Sequence, residues 1–145
     1  MKRIFYLLAV LLVCSGCSRT WKDPGATVPA SELPIAVIAS VPNAYNGAGI
    51  IIKGVVWDLT SDELTYTEDD LEKMVSYFFF KVADQKGNFV NVYAEGTGDL
   101  KEGDMVEVKG IYRKDMTTQK RYFKNEIEAV KVKVTGSSKK SATAE

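Results

Sequence analysis

The chain has 145 residues, with 19 basic and 19 acidic side chains, two cysteines and no histidine. This length suits a single domain. The absence of histidine removes the most common catalytic base and a frequent zinc ligand. The balanced charge leaves no overall basic surface for nucleic acid. Because no nucleophile elbow or phosphate-binding loop occurs either, we expect a protein that is not an enzyme.

The amino-terminal residues have the pattern of an export signal. A basic start, Met1-Lys2-Arg3, precedes ten uncharged residues at positions 4–13, and small residues follow them. This apolar run is too short to span a bilayer, which takes roughly 20 apolar residues. Both cysteines stand at its end with C-x-x-C spacing. Because that position belongs to an export signal, we favour processing over redox chemistry for them.

The stretch "VCSGC" at positions 13–17 resembles the lipobox of bacterial lipoproteins, although Cys14 stands where that family usually has leucine. The resemblance implies that the Cys17 thiol receives a diacylglycerol and that residues 1–16 are then removed. Cleavage by the general signal peptidase is the alternative. Two or three acyl chains would hold the protein stably on a membrane. The resemblance also implies the outer membrane, facing the periplasm, because Ser18 and not aspartate follows the cysteine.

We predict four segments in the chain. Residues 1–16 are the signal peptide, residues 17–34 are the lipidated cysteine and a flexible tether, residues 35–135 are the folded domain, and residues 136–145 are a disordered tail. The tether holds three of the four prolines and would reach roughly 55–60 Å if fully extended. The tail is small and polar, which is typical of disorder.

Strand signals dominate the folded domain. β-branched and alternating apolar residues predict five strands, over residues 49–59, 76–84, 88–94, 104–114 and 121–134. A short turn that contains glycine joins the second and third strands. We predict a short helix in residues 34–45, interrupted or ended by Pro42, and one or two helical turns in residues 61–74.

Glycines inside two of the strands are typical of a small closed barrel. Gly54 and Gly110 would relieve crowding where the first and fourth strands bend sharply. The fold class that we predict is therefore all-β, a small five-stranded OB-fold-like barrel with minor helical segments.

Two motifs resemble small bacterial OB-fold domains. "PNAYNGAGIIIKGVV" at positions 42–56 is similar to the start of their first strand, and "GDMVEVKG" at positions 103–110 is similar to their fourth strand. Residues 80–110 also resemble the periplasmic haem chaperone of cytochrome maturation, and the fold resembles the anticodon-binding type of OB domain. The haem family attaches haem through a histidine, which this chain lacks. The resemblance therefore implies the fold and neither haem nor another cofactor.

The hairpin of the second and third strands has one face for the barrel interior and one for a ligand. Alternation assigns to the interior Phe78, Phe80, Val82, Val90, Val92 and Ala94. The opposite face carries the candidate ligand-binding residues Tyr77, Phe79, Lys81, Phe89, Asn91 and Tyr93, joined by Trp57 and Lys53 from the first strand. Aromatic rings beside a lysine suit base stacking and protein contacts. They equally suit plain cross-strand packing.

The segments that border this face differ in charge. The loop after the fourth strand is basic and adds the candidates Arg113, Lys114, Lys120 and Arg121. Residues 58–72 contain seven acidic side chains and no basic one. The basic loop suits nucleic acid or is a solvated turn, whereas the acidic segment would repel phosphates. An acidic flank opposite a basic one fits a dipolar protein partner or self-association, and each flank equally fits a solvated face.

These features predict a binding module that a lipid anchors in the cell envelope. The leading hypothesis is a protein-interaction or accessory role, with an envelope protein as partner and without catalysis. One alternative is an exported binder of single-stranded nucleic acid that uses the aromatic face and the basic loop. Another is a non-covalent accessory in cytochrome or haem assembly. We expect no metal, cofactor or small-molecule substrate.

Replacing Cys17 with serine tests the lipid anchor. Because serine has no thiol to alkylate, we expect the Cys17→Ser protein to leave the membrane fraction, while a Cys14→Ser control stays in it. Cell fractionation followed by immunoblotting measures the distribution of both variants. Retention of Cys17→Ser in the membrane fraction would contradict lipidation at this position.

Overall fold

The structure is a computed structural model that describes residues 20–21, 29–96 and 98–137. The predicted signal peptide, the predicted lipidation site at Cys17, much of the predicted tether and most of the predicted tail lie outside these residues. Neither helix in the described part of the chain is long and apolar enough to cross a membrane.

The described elements are strands β1 (Thr20–Trp21) and β2 (Ser31–Glu32), helices α1 (Ile35–Ser40) and α2 (Pro42–Tyr45), and strands β3 (Gly49–Glu68), β4 (Leu71–Ala83), β5 (Phe89–Glu95), β6 (Asp104–Thr117) and β7 (Tyr122–Ser137). The five long strands, β3 to β7, correspond in order to the five predicted strands. Two short helices precede them, which confirms a helical segment that Pro42 interrupts.

The five long strands close into a ring. β3 pairs antiparallel with both β4 and β6, β4 pairs antiparallel with β5, and β6 pairs antiparallel with β7. A parallel pairing between β5 and β7 completes the circuit. The order around the ring is therefore β3-β4-β5-β7-β6. The prediction of an all-β, barrel-like fold with five main strands is confirmed.

The core fills the inside of this ring. The alternation of the β4–β5 hairpin puts into it the predicted interior residues, of which Phe80, Val82, Val90, Val92 and Ala94 are fully buried while Phe78 packs against them. Ile35 and Ile38 of α1 are buried in the same cluster. Burial of a large aliphatic side chain contributes about 1.5–3 kcal/mol, so α1 belongs to the folded unit.

The acidic segment forms strands, and the prediction of helical turns there is wrong. Residues 60–68 of β3 pair with residues 71–79 of β4 in one antiparallel ladder. Asp69 (φ 52°) and Asp70 (φ 60°) make the turn between them. Two consecutive positive φ values match a type I′ hairpin turn, which aspartate tolerates. Leu64 lies on β3 whereas Leu71 and Met74 lie on β4, so the apolar residues of this segment are divided between two facing strands.

The paired part of β3 and β4 extends past the barrel. β6 pairs with β3 only as far as Val55, and β5 pairs with β4 only from Tyr77 onward. Residues 60–76 form a two-stranded ribbon, which we call the arm. Within the described chain, neither outer edge of the arm has a strand partner.

Two short pieces of the predicted tether pair with the barrel. β1 pairs antiparallel with β7, and β2 pairs parallel with β3. Next to β2, the Leu33 N–H donates a hydrogen bond to the Ile51 carbonyl at 3.0 Å. The ordered contacts with the barrel therefore begin before residue 35.

Gly110→Ala should destabilise the barrel far more than Gly136→Ala. A Cβ at Gly110 would lie under 3.0 Å from the Glu128 carbonyl and the Ile127 side chain, whereas the atom nearest a Cβ at Gly136 is the Met105 sulfur at 3.7 Å. Since overpacking costs about 1–3 kcal/mol, we expect Gly110→Ala to lower the free energy of unfolding by about that amount. Gly136→Ala should change it by less than about 0.5 kcal/mol. Urea denaturation measures both, and equal stabilities would contradict close packing at Gly110.

Candidate functional site

The outer face of the β4–β5 hairpin carries a row of aromatic rings. Phe79 and Tyr93 are cross-strand partners, and the Tyr77 and Tyr93 rings lie 5.5 Å apart between centroids. Tyr77 and Phe79 are half-buried. Three of the predicted ligand-binding aromatics therefore lie together, on the face that the alternation predicted.

Tyr93 is almost fully enclosed by its neighbours. Only 2% of it is exposed, because Phe123 packs edge-on at 5.5 Å and the Arg121 guanidinium lies 4.6 Å from its ring centroid. Burial raises the pKa of its phenol, so the group stays neutral at physiological pH. The hydroxyl donates a long hydrogen bond of 3.4 Å to Glu95.

A groove of about 360 Å³ opens above these rings. It lies between the arm and the start of β7, and it is lined by Leu64, Tyr77, Phe79, Tyr93, Arg121 and Tyr122. One wall is the arm, in which Leu64 pairs across the ladder with Val75. Tyr122, which is 50% exposed, comes from the other wall. The groove thus has an aromatic floor and two walls from separate hairpins.

Arg121 is the cation of the groove. Its guanidinium lies 5.3 Å from the Phe79 ring centroid and 5.1 Å from that of Phe123. Its Nη2 donates a hydrogen bond of 3.2 Å to the Glu126 carboxylate. Contact with ring faces and a buried carboxylate fixes this side chain as a packed part of the wall.

Glu126 is the one buried carboxylate of the described residues that keeps an oxygen without a partner. Only 2% of the residue is exposed. Its Oε2 accepts from Arg121, while its Oε1 has no hydrogen-bond partner among the described residues. Burial raises its pKa to about 7, against the opposing effect of the Arg121 charge. Near neutral pH this carboxyl is therefore partly protonated.

The remaining predicted aromatics form a second cluster. Trp57, which is 53% exposed, meets Phe89 edge-on at 6.1 Å between ring centroids. The Lys81 ammonium lies 5.0 Å from the Trp57 ring and 2.6 Å from Asp58. Asn91 is half-buried and pairs across the strands with Lys81. The predicted binding face is thus divided between the groove and this cluster.

The predicted basic candidates all have polar partners within the chain. Arg113 pairs with Glu128 at 3.1 Å and Lys120 pairs with Glu95 at 2.6 Å. Lys114 donates from its ammonium to the Asn43 side chain. Arg121 is the only one of the four that lines the groove. Three of the four therefore make an ion pair within the chain, while the partner of Lys114 is a neutral amide.

The acidic arm has the opposite character. Within it Lys73 pairs with Glu68. Its other carboxylates make no ion pair with the described residues, and these are Asp62, Glu63, Asp69, Asp70 and Glu72. By the register of the ladder, Asp62 lies on the face of the arm that carries Leu64, Asp69 and Asp70 lie at its tip, and Glu63 and Glu72 alternate to the opposite face. On the facing wall, Lys120 and Arg121 each contact a carboxylate.

Loss of the proton from the buried Glu126 carboxyl should make the protein less stable as the pH rises. The unfolded chain releases this proton near its ordinary pKa of 4.5, whereas the folded protein retains it up to about pH 7. The folded state binds more protons across this interval, so the free energy of unfolding should fall between pH 4.5 and 7. The fall is about 3 kcal/mol at most.

Glu126→Gln should flatten this pH dependence, whereas Glu72→Gln, at an exposed arm position, should preserve it. Urea titrations at several pH values measure the slopes. A Glu126→Gln slope equal to that of the wild type would contradict the assignment to this carboxyl.

No protein-family model matches this chain, and no curated protein is significantly similar to it. The residues of the chain itself, above all those of the groove, therefore carry the evidence for its function.

Proposed function

We propose that the protein is a lipid-anchored binding module of the cell envelope, which docks a protein partner in the groove and performs no catalysis. The anchor is the predicted lipid on Cys17, which would place the protein at the outer membrane, facing the periplasm. The groove supplies the contact surface. The lipid would hold the groove at the membrane surface, where a partner in the envelope can bind it.

The composition of the groove is the observation that carries this proposal. Tyr77, Phe79 and Tyr122 offer partly accessible aromatic surface around a cavity of about 360 Å³. Aromatic side chains dominate the energetics of protein interfaces, because they bury large areas at a small cost in entropy. The packed Arg121 adds the residue type that most often accompanies them at such interfaces.

The charge distribution supports a protein partner over nucleic acid. A single-strand binder combines stacking rings with cations that are free to neutralise phosphates. Here the groove cation, Arg121, already contacts Glu126 at 3.2 Å, and the neighbouring Lys120 contacts Glu95. The carboxylates of the arm would repel a phosphate backbone.

Site-specific photo-cross-linking in intact cells tests the proposal. We would replace Tyr122, in the groove wall, with a photoreactive phenylalanine analogue, and place the same analogue at Gln85 as a control. Gln85 is exposed in the turn between β4 and β5. We expect a discrete adduct with another protein from position 122 and none from position 85. Phe79→Ala should weaken that adduct by removing part of the groove floor.

Absence of an adduct from position 122 would contradict the proposal. If position 122 gives no adduct beyond the level of position 85 while the protein remains folded, the groove is not a docking site. Titration of the detergent-solubilised protein into labelled single-stranded DNA and RNA tests the nucleic-acid alternative. Salt-sensitive binding at micromolar or lower concentration, lost in Phe79→Ala, would favour that alternative.

A further inference from the structure

We infer that the partner presents an extended, basic segment with aromatic or apolar side chains, which lies in the groove against the acidic arm. This inference rests on the proposed docking function and specifies the chemistry of the partner. Its elements are the charge of the arm, the open edges of the arm strands and the ring surfaces of the groove.

Most carboxylates of the arm have no ionic partner among the described residues. Five carboxylates of the arm make no ion pair with the described residues, and only Lys73 and Glu68 pair with each other there. On the facing wall, Lys120 and Arg121 both have carboxylate partners. Of the five carboxylates of the arm, Asp62 lies on the groove face of the arm and Asp69 and Asp70 lie at its tip, so a basic segment along the arm would meet negative charge at both ends of this face. Complementary charge on a partner speeds its association and fixes its orientation.

The geometry of the arm favours an extended segment. From Leu71 to Val75, the edge of β4 that would continue toward β5 has no strand partner within the described chain. Unpaired backbone groups on an open edge accept an added strand. The face of the arm that carries Leu64 and Tyr66 is half-buried and continues into the aromatic floor at Tyr77. Apolar side chains of an added segment would reach this continuous surface.

The rings near the groove already receive cations of the chain itself. The Lys120 ammonium lies 4.7 Å from the Tyr66 ring centroid, and the Arg121 guanidinium lies against Phe79. Such contacts are attractive because the face of an aromatic ring is electron-rich. Tyr122, a groove ring that is 50% exposed, would offer the same kind of surface to a lysine or arginine of the partner.

Fluorescence anisotropy with the full-length protein in detergent micelles tests this inference. The probe is a fluorescein-labelled peptide of alternating lysine and phenylalanine, and the comparison is a peptide of alternating glutamate and phenylalanine. We expect binding of the lysine peptide only, weakened by added salt. Asp69→Asn/Asp70→Asn should reduce the affinity about three- to tenfold, because it removes two charges of the arm. Asparagine tolerates the positive φ of both turn positions.

Matched variants separate docking from general attraction of charges. Glu32→Gln/Glu107→Gln removes two carboxylates beside Lys53, outside the arm, and should leave the affinity unchanged. Phe79→Ala should reduce the affinity by removing part of the groove floor. Equal binding of both peptides, absence of binding, or equal effects of the two double variants would each overturn the inference. Retained binding in Phe79→Ala would overturn it as well, by showing adhesion to the arm alone.

Cross-linking from position 122 distinguishes this failure from failure of the proposed function. An adduct that persists undiminished in Asp69→Asn/Asp70→Asn would leave the docking function intact and exclude a basic segment. No adduct in any background would remove the docking function itself.

Discussion

The parallel contact between β5 and β7 is the constraint on which the rest of the structure depends. It covers only three residue pairs, Asn91 with Glu126, Val92 with Ile127 and Tyr93 with Glu128, yet without it the ring would remain an open sheet. The contact encloses Val92 and Ile127, which are fully buried. On the outer face it brings the end of the β4–β5 hairpin beside the start of β7. The core and the groove therefore share a single seam, and a change that opens this seam would affect both.

The groove arises because strands of unequal length meet at one side of the barrel. β3 and β4 continue past their neighbours to form the arm, and the β6–β7 hairpin ends opposite it. The floor between them is a surface that the barrel would have in any case. The charged groups near this floor pair with one another, as Arg121 does with Glu126 at 3.2 Å and Lys120 with Glu95 at 2.6 Å. What remains for a partner is ring surface and the negative charge of the arm.

Local patterns sufficed to predict the barrel, because each strand shows its own alternation. The interior set of the β4–β5 hairpin follows from a period of two, and Gly54 and Gly110 stand where any Cβ would meet a neighbouring strand. The arm escaped prediction because Leu71 and Met74 have helical spacing, and the two aspartates of its turn need no glycine. The burial of Tyr93 and Glu126 had no signal in the sequence. Tyr93 is covered by Phe123 and Arg121, about thirty residues further along the chain, and Glu126 lies where β7 meets β5; alternation within a strand specifies neither contact.

The two open edges of the arm also bear on how copies of this protein coexist. Lipid-anchored molecules, as proposed for this chain, would share a thin layer at the membrane surface, where even weak edge-to-edge pairing of strands could build chains of subunits. Alignment of two arms would bring the carboxylates around Asp69 and Asp70 of one copy next to those of the other. Like charges on adjoining strands oppose such pairing. The arm would thus keep an open strand edge for a partner while its carboxylates oppose pairing between copies. The same repulsion would increase the distance between neighbouring molecules on a crowded membrane.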